Sequence, residues 1–226
     1  MLHRSAILAL CVIVVTSAGC SSGAATNTAA GAETGTASAA SPTTAGGGAP
    51  AGHPVAPTPG GGLVDDDPSR TVIQPFPTGG SCHARPLPAG TLPDPVCTPG
   101  ATDPHVTADT LDTTICRPGG YTSTVRPPQS VTDPEKRLSM TSYGDPGSAS
   151  QYEFDHLVPL SVGGSPNSPC NLWPQPGASP NPKDKLEGAL RDLVCARKLP
   201  LRDAQHLIAT DWAAAYRQIL GTYPPR

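Results

Sequence analysis

Tyr152-Glu153-Phe154-Asp155-His156-Leu157-Val158-Pro159-Leu160 is the stretch on which the fold of this 226-residue chain turns. It is followed by Gly163-Gly164-Ser165-Pro166-Asn167 and then by Asn171-Leu172-Trp173-Pro174. Two short apolar and aromatic runs flank a Gly-Gly-Ser-Pro-Asn reversal, the pattern of a β-hairpin with a long loop. Downstream, Asn181 reads as the N-cap and Pro182 as the first residue of a helix that carries Leu186, Leu190, Leu193 and Val194 on one face. A second helix begins near Leu201, carries Ala204, Leu207, Ile208, Trp212, Ala215 and Ile219 at helical spacing, and ends at Gly221 and Pro224. Upstream, residues 113–116 and 121–125 read as short strands, and residues 134–143 as a short helix with Asp133 as N-cap. The order strand, loop, strand, helix, with extra short strands and a C-terminal helix behind, predicts an α+β domain.

The N-terminal half has a different character. His3 and Arg4 precede an apolar run of about ten residues, too short to span a bilayer core, and Thr16-Ser17-Ala18-Gly19-Cys20 supplies small residues at a cleavage site. Residues 1–20 therefore read as an export signal. The Ser-Ala-Gly-Cys ending resembles a bacterial lipobox, which implies that Cys20 is lipidated and that the chain is anchored to the outer face of the cell membrane or secreted. Residues 21–75, rich in Ala, Gly, Thr and Pro, are expected to form a disordered linker. Residues 76–95 read as an extended Pro-rich segment and 96–226 as the folded domain. Asp65-Asp66-Asp67 is expected to be a solvated acidic turn.

With 24 Gly and 29 Pro, about a quarter of the chain, uniform packing is excluded. A formal net charge of -3 excludes a globally basic nucleic-acid binder, though not a local basic site. Trp173 and Trp212 read as core residues. His53, His83, His105 and His206 carry no assigned role, and His206 is expected to face solvent. Five cysteines lie beyond the signal, and an exported chain meets an oxidising compartment. The expected pairs are Cys97 with Cys116 and Cys170 with Cys195, leaving Cys82 free or paired differently.

Phosphodiester hydrolysis needs a base to activate water, positive charge at the phosphate and help for the departing oxygen. A hairpin can set a base at a strand end beside a hard-cation ligand, and a following helix can complete the site. The run Asp155-His156-x-x-Pro159-Leu160-x-x-Gly163-Gly164, with Asn171-Leu172 beyond it, resembles the motif of HNH nucleases, the ββα-metal or His-Me finger family. Residues from about 95 to 220 are also similar to exported actinobacterial proteins of HNH type.

That resemblance implies a small ββα-metal core, with His156 as general base, Asp155 as a ligand of one divalent ion, and Asn171 steadying the loop or the base. The third motif element departs from the family, because no His is present there. Asn181, Asp184 and Glu187 are the candidates for the remaining metal ligand. The ion would be Mg²⁺, with Mn²⁺, Ca²⁺ or Zn²⁺ as substitutes. Lys183 and Lys185 could contact phosphate at the helix start. The expected function is a metal-dependent endonuclease acting outside the cytoplasm, on DNA rather than RNA, losing activity below a pH of roughly 6.5 as its base protonates. The alternative is a non-catalytic envelope lipoprotein that keeps the scaffold for binding.

Overall fold

The structure is a computed structural model and describes residues 62–87, 90–177 and 179–221. The signal, Cys20 and linker residues 21–61 lie outside the described residues. Among the described residues the architecture is α+β, with helices and three small two-stranded sheets. In chain order the strands are β1 (Val64–Asp65), β2 (Arg85–Leu87), β3 (Gly90–Leu92), β4 (Ala101–Thr102), β5 (Tyr152–His156) and β6 (Leu172–Pro176). The α-helices are α1 (Thr122–Val125), α2 (Gln129–Tyr143), α3 (Pro182–Cys195) and α4 (Leu201–Leu220).

The expected hairpin is present. β5 and β6 pair antiparallel, with Asp155 opposite Trp173 and His156 opposite Leu172. The connecting loop is tied from inside by its own backbone, since the Pro159 carbonyl accepts from Val162 N at 3.0 Å and Gly164 N at 2.9 Å. Gly164 is required there. A Cβ at that position would lie 1.7 Å from the Val158 carbonyl oxygen.

Helix α3 starts where the sequence places it. The Asn181 side chain accepts from Lys183 N, and Asp184 reaches back to Asn181 N, a reciprocal capping box. Its buried stripe, Leu186, Leu190 and Val194, packs with Ala204, Ile208 and Trp212 of α4 in one apolar core. α4 runs as expected from Leu201 but breaks at Asp211, whose backbone is extended (φ -158°, ψ 88°). The Asp211 carboxylate accepts from Ala214 N at 2.9 Å, so it caps the second segment as an N-cap residue does. His206 is exposed, as expected, while Trp173 and Trp212 are buried.

Several expectations fail for local reasons. Residues 113–116 and 121–125 are not strands: a 3₁₀ turn covers Leu111–Thr113, and α1 takes the second stretch. The hydroxyls of Thr113 and Thr114 donate to the Thr110 carbonyl, and that of Thr124 to the Tyr121 carbonyl. Such side-chain bonds offer the backbone an alternative to a ladder. α2 begins at Gln129 rather than at Pro134. Pro134 is tolerated inside it because the carbonyl left without a donor belongs to Ser130, which is exposed to water.

The folded part also begins earlier than residue 96. β1 pairs parallel with β4, β2 pairs with β3, and the Asn167 amide donates to the carbonyls of Ser69 (2.8 Å) and Val72 (3.0 Å). Residues 62–75 are therefore docked, and Asp65-Asp66-Asp67 is not a free acidic turn. Asp65 accepts from the Thr102 hydroxyl, and Asp66 from Ser168 Oγ at 2.5 Å.

The disulfides differ from expectation too. Cys82 pairs with Cys97, and Cys116 pairs with Cys195, so neither Cys97–Cys116 nor Cys170–Cys195 forms. The first bridge braces the β2–β3 hairpin. The second forms because the chain before Cys116 turns in a 3₁₀ coil and brings it to the last turn of α3. These bridges suit an oxidising compartment. Among the described residues no helix is long and apolar enough to cross a membrane.

Candidate functional site

His156 closes β5 and is 8% exposed. Its Nε2 lies 2.9 Å from the Pro166 carbonyl oxygen. A carbonyl only accepts, so the ring proton sits on Nε2 and Nδ1 carries the lone pair. Nδ1 has no partner among the described side chains and backbone groups. Burial holds the His156 pKa down to about 3, helped by the positive charges of Arg126 and Lys183 and opposed by the Pro166 hydrogen bond. The imidazole is neutral throughout the ordinary pH range.

Asn171 fixes the loop that carries this residue. Its Oδ1 accepts from Val158 N (2.9 Å) and Ala101 N (3.3 Å), and its Nδ2 donates to the carbonyls of Val158 (2.9 Å) and Ser165 (3.0 Å). All of its hydrogen-bonding capacity is directed at backbone, so it holds the loop rather than a ligand.

Asp155 is buried and points the other way. Its Oδ2 accepts from Trp173 Nε1 at 3.1 Å, and its Oδ1 lies 3.0 Å from Lys183 Nζ. Lys183, on the first turn of α3, is fully buried. Its ammonium also donates to the His156 carbonyl and to Glu187 Oε1, both at 2.8 Å. The three N–H groups of the lysine are thus matched by three acceptors. Burial alone would lower the Lys183 pKa, but the Asp155 and Glu187 carboxylates more than reverse this and keep it charged. Burial pushes the Asp155 carboxyl up, to about 7, against the pull of Lys183.

This arrangement does not suit a divalent ion at Asp155. Such an ion binds carboxylate oxygen at about 2.0–2.6 Å, and the ammonium already stands 3.0 Å from Oδ1. Asn181 and Asp184 are not free ligands either, because they complete the α3 capping box, and the Asn181 amide also donates to Glu153. Lys183 is no surface phosphate contact, whereas Lys185 is exposed.

Two features had no clear sequence signal. Arg126 follows α1, is exposed, forms no ion pair among the described residues, and acts electrostatically on His156. Nothing in its own neighbourhood of sequence points to that placement. Asp67, Asp103 and His105 converge as a group that could hold a metal ion. Asp103 and His105 are close in sequence, but Asp67 arrives only through the docking of β1. His105 Nδ1 lies 2.9 Å from Asp103 and 3.4 Å from Asp67, and Arg70 reaches both carboxylates at 3.5 Å. No family model, no curated protein and no solved structure matches the chain.

Proposed function

We propose that this domain is a nuclease of the HNH kind, hydrolysing phosphodiester bonds of nucleic acid, DNA before RNA, outside the cytoplasm on a chain tethered through Cys20. The observation that carries this reading is the His156 imidazole at the end of β5, neutral by burial, fixed at Nε2 by Pro166 and with Nδ1 unpartnered among the described residues. A general base must be neutral and held in one tautomer, and its strength falls with its pKa, so the burial that keeps His156 neutral also makes it a weaker base.

In the reaction, a water oxygen attacks phosphorus while Nδ1 takes its proton. The bond to the departing 3′-oxygen breaks, and that oxygen is protonated from solvent. Arg126, whose charge is felt at His156, would supply positive charge to the phosphate. No step is assigned to a divalent ion at Asp155. A metal held by Asp67, Asp103 and His105 would use one nitrogen and two carboxylates, a donor set that suits Mn²⁺ or Zn²⁺ better than Mg²⁺.

A second reading, a non-catalytic envelope protein on the same scaffold, is favoured by the closed ion pairing around Asp155. Incubating the purified chain and its His156→Ala variant with supercoiled DNA, single-stranded DNA and RNA separates the two. The nuclease reading expects cleavage of at least one substrate by the wild type and loss of about 10²-fold or more in the variant. Equal rates would favour the scaffold.

A further inference from the structure

We propose that the Lys183 ammonium is the resident cation of the junction between the β5–β6 hairpin and α3. It stands between Asp155 and Glu187 where a divalent ion would otherwise bind, so the native chain takes no such ion there. Three observations converge. Lys183 is fully buried, its Nζ is matched by acceptors at 3.0, 2.8 and 2.8 Å, and those acceptors come from the strand end (Asp155, His156) and the helix (Glu187).

Two carboxylates and a backbone carbonyl converging on one point are an oxygen donor set of the sort that hard cations use. Here a covalently attached cation fills it. The lysine reaches this point because the capping box fixes the first turn of α3, and because its i,i+4 spacing sets it beside Glu187. By donating to the His156 carbonyl it also positions the base, linking helix to strand end without touching substrate. The inference concerns the occupant of the junction and does not depend on whether the chain cuts nucleic acid.

It follows that removing the amine leaves two carboxylates without a counter-charge and turns the junction into a divalent-ion site. The test is a Mn²⁺ titration of the ¹⁵N-labelled chain, in a His105→Ala background that dismantles the other candidate metal group, following the two tryptophan indole N–H signals. Trp173 donates its indole N–H to Asp155 and reports an ion there, whereas Trp212 donates to the Thr91 carbonyl and is the internal control. With Lys183 in place, Mn²⁺ should leave the Trp173 signal no more broadened than that of Trp212. In Lys183→Ala, Mn²⁺ should broaden Trp173 selectively, and EDTA should restore it.

Selective broadening of Trp173 with Lys183 in place would overturn the proposal, and so would its absence in a folded Lys183→Ala chain. Should that variant not fold in the absence of ions, Lys183→Asn provides the shortened side chain with a polar group, and recovery of its fold by Mn²⁺ is the expected result. Failure of an ion to rescue either variant would count against the idea.

Discussion

At the scale of single residues, the buried polar groups decide what the site can do. His156 has its pKa held near 3, far below the ordinary histidine value, so it binds no proton in the folded chain where an unfolded chain would. The acid loss of activity expected near pH 6.5 from an unperturbed histidine is therefore displaced downward. An NMR titration should find the His156 ring signals unchanged between pH 7 and roughly 4. For stability the sign is fixed as well: the unfolded state gains the proton first, so the His156 contribution falls as pH drops from about 6.5 to about 3.

Glu135 is the opposite case. It is buried, its Oε1 accepts from Gln74 N at 2.7 Å, and its Oε2 lacks a partner, as does Asn167 Oδ1. Burial raises its pKa, and a proton on Oε2 would satisfy both orphaned acceptors. Its stabilising contribution is present at low pH and is lost as pH rises through its folded value. Glu135→Gln, which carries a permanent donor, should therefore match or exceed the wild-type melting temperature at pH 8, and Glu135→Ala should fall below it.

At the scale of elements, the hairpin loop is where one residue replaces many contacts. Asn171→Ala removes four hydrogen bonds and strands buried backbone groups, which should cost about 2–4 kcal/mol in a denaturant titration. Gly164→Ala should be worse, because the new Cβ collides with backbone rather than with a movable side chain. What was legible in the sequence follows the same division. The hairpin and both C-terminal helices were readable because turn residues, caps and a helical stripe act locally and agree with one another. The strands expected at 113–116 and 121–125 were not, because β-branched threonines also satisfy their own backbone through their hydroxyls. Lys183 looked like a phosphate contact because sequence shows its position on the helix but not the carboxylates buried beneath it.

At the scale of the whole molecule, long-range closure was the least legible layer. The docking of residues 62–75 rests on strand pairing and on Asn167, nearly a hundred residues away. The bridge between Cys116 and Cys195 spans 79 residues. No local spacing announces either. Non-reducing peptide mapping should recover Cys82 with Cys97 and Cys116 with Cys195. Replacing the longer bridge by serines should cost about 4–5 kcal/mol on the chain-entropy estimate, against about 3 kcal/mol for the 15-residue loop.

These layers meet at one point: the disulfide and the core hold α3 in place, α3 holds Lys183, and Lys183 and Asn171 hold the strand end that carries His156. The decisive measurement is nicking of supercoiled plasmid, with Mg²⁺ or Mn²⁺ and in EDTA, by the purified chain compared with its His156→Ala variant. The wild type should nick under at least one of these conditions, and the variant should there be slower by about 10²-fold or more. No cleavage by the wild type under any ionic condition, or equal cleavage by both, would contradict the assignment of His156 as the base.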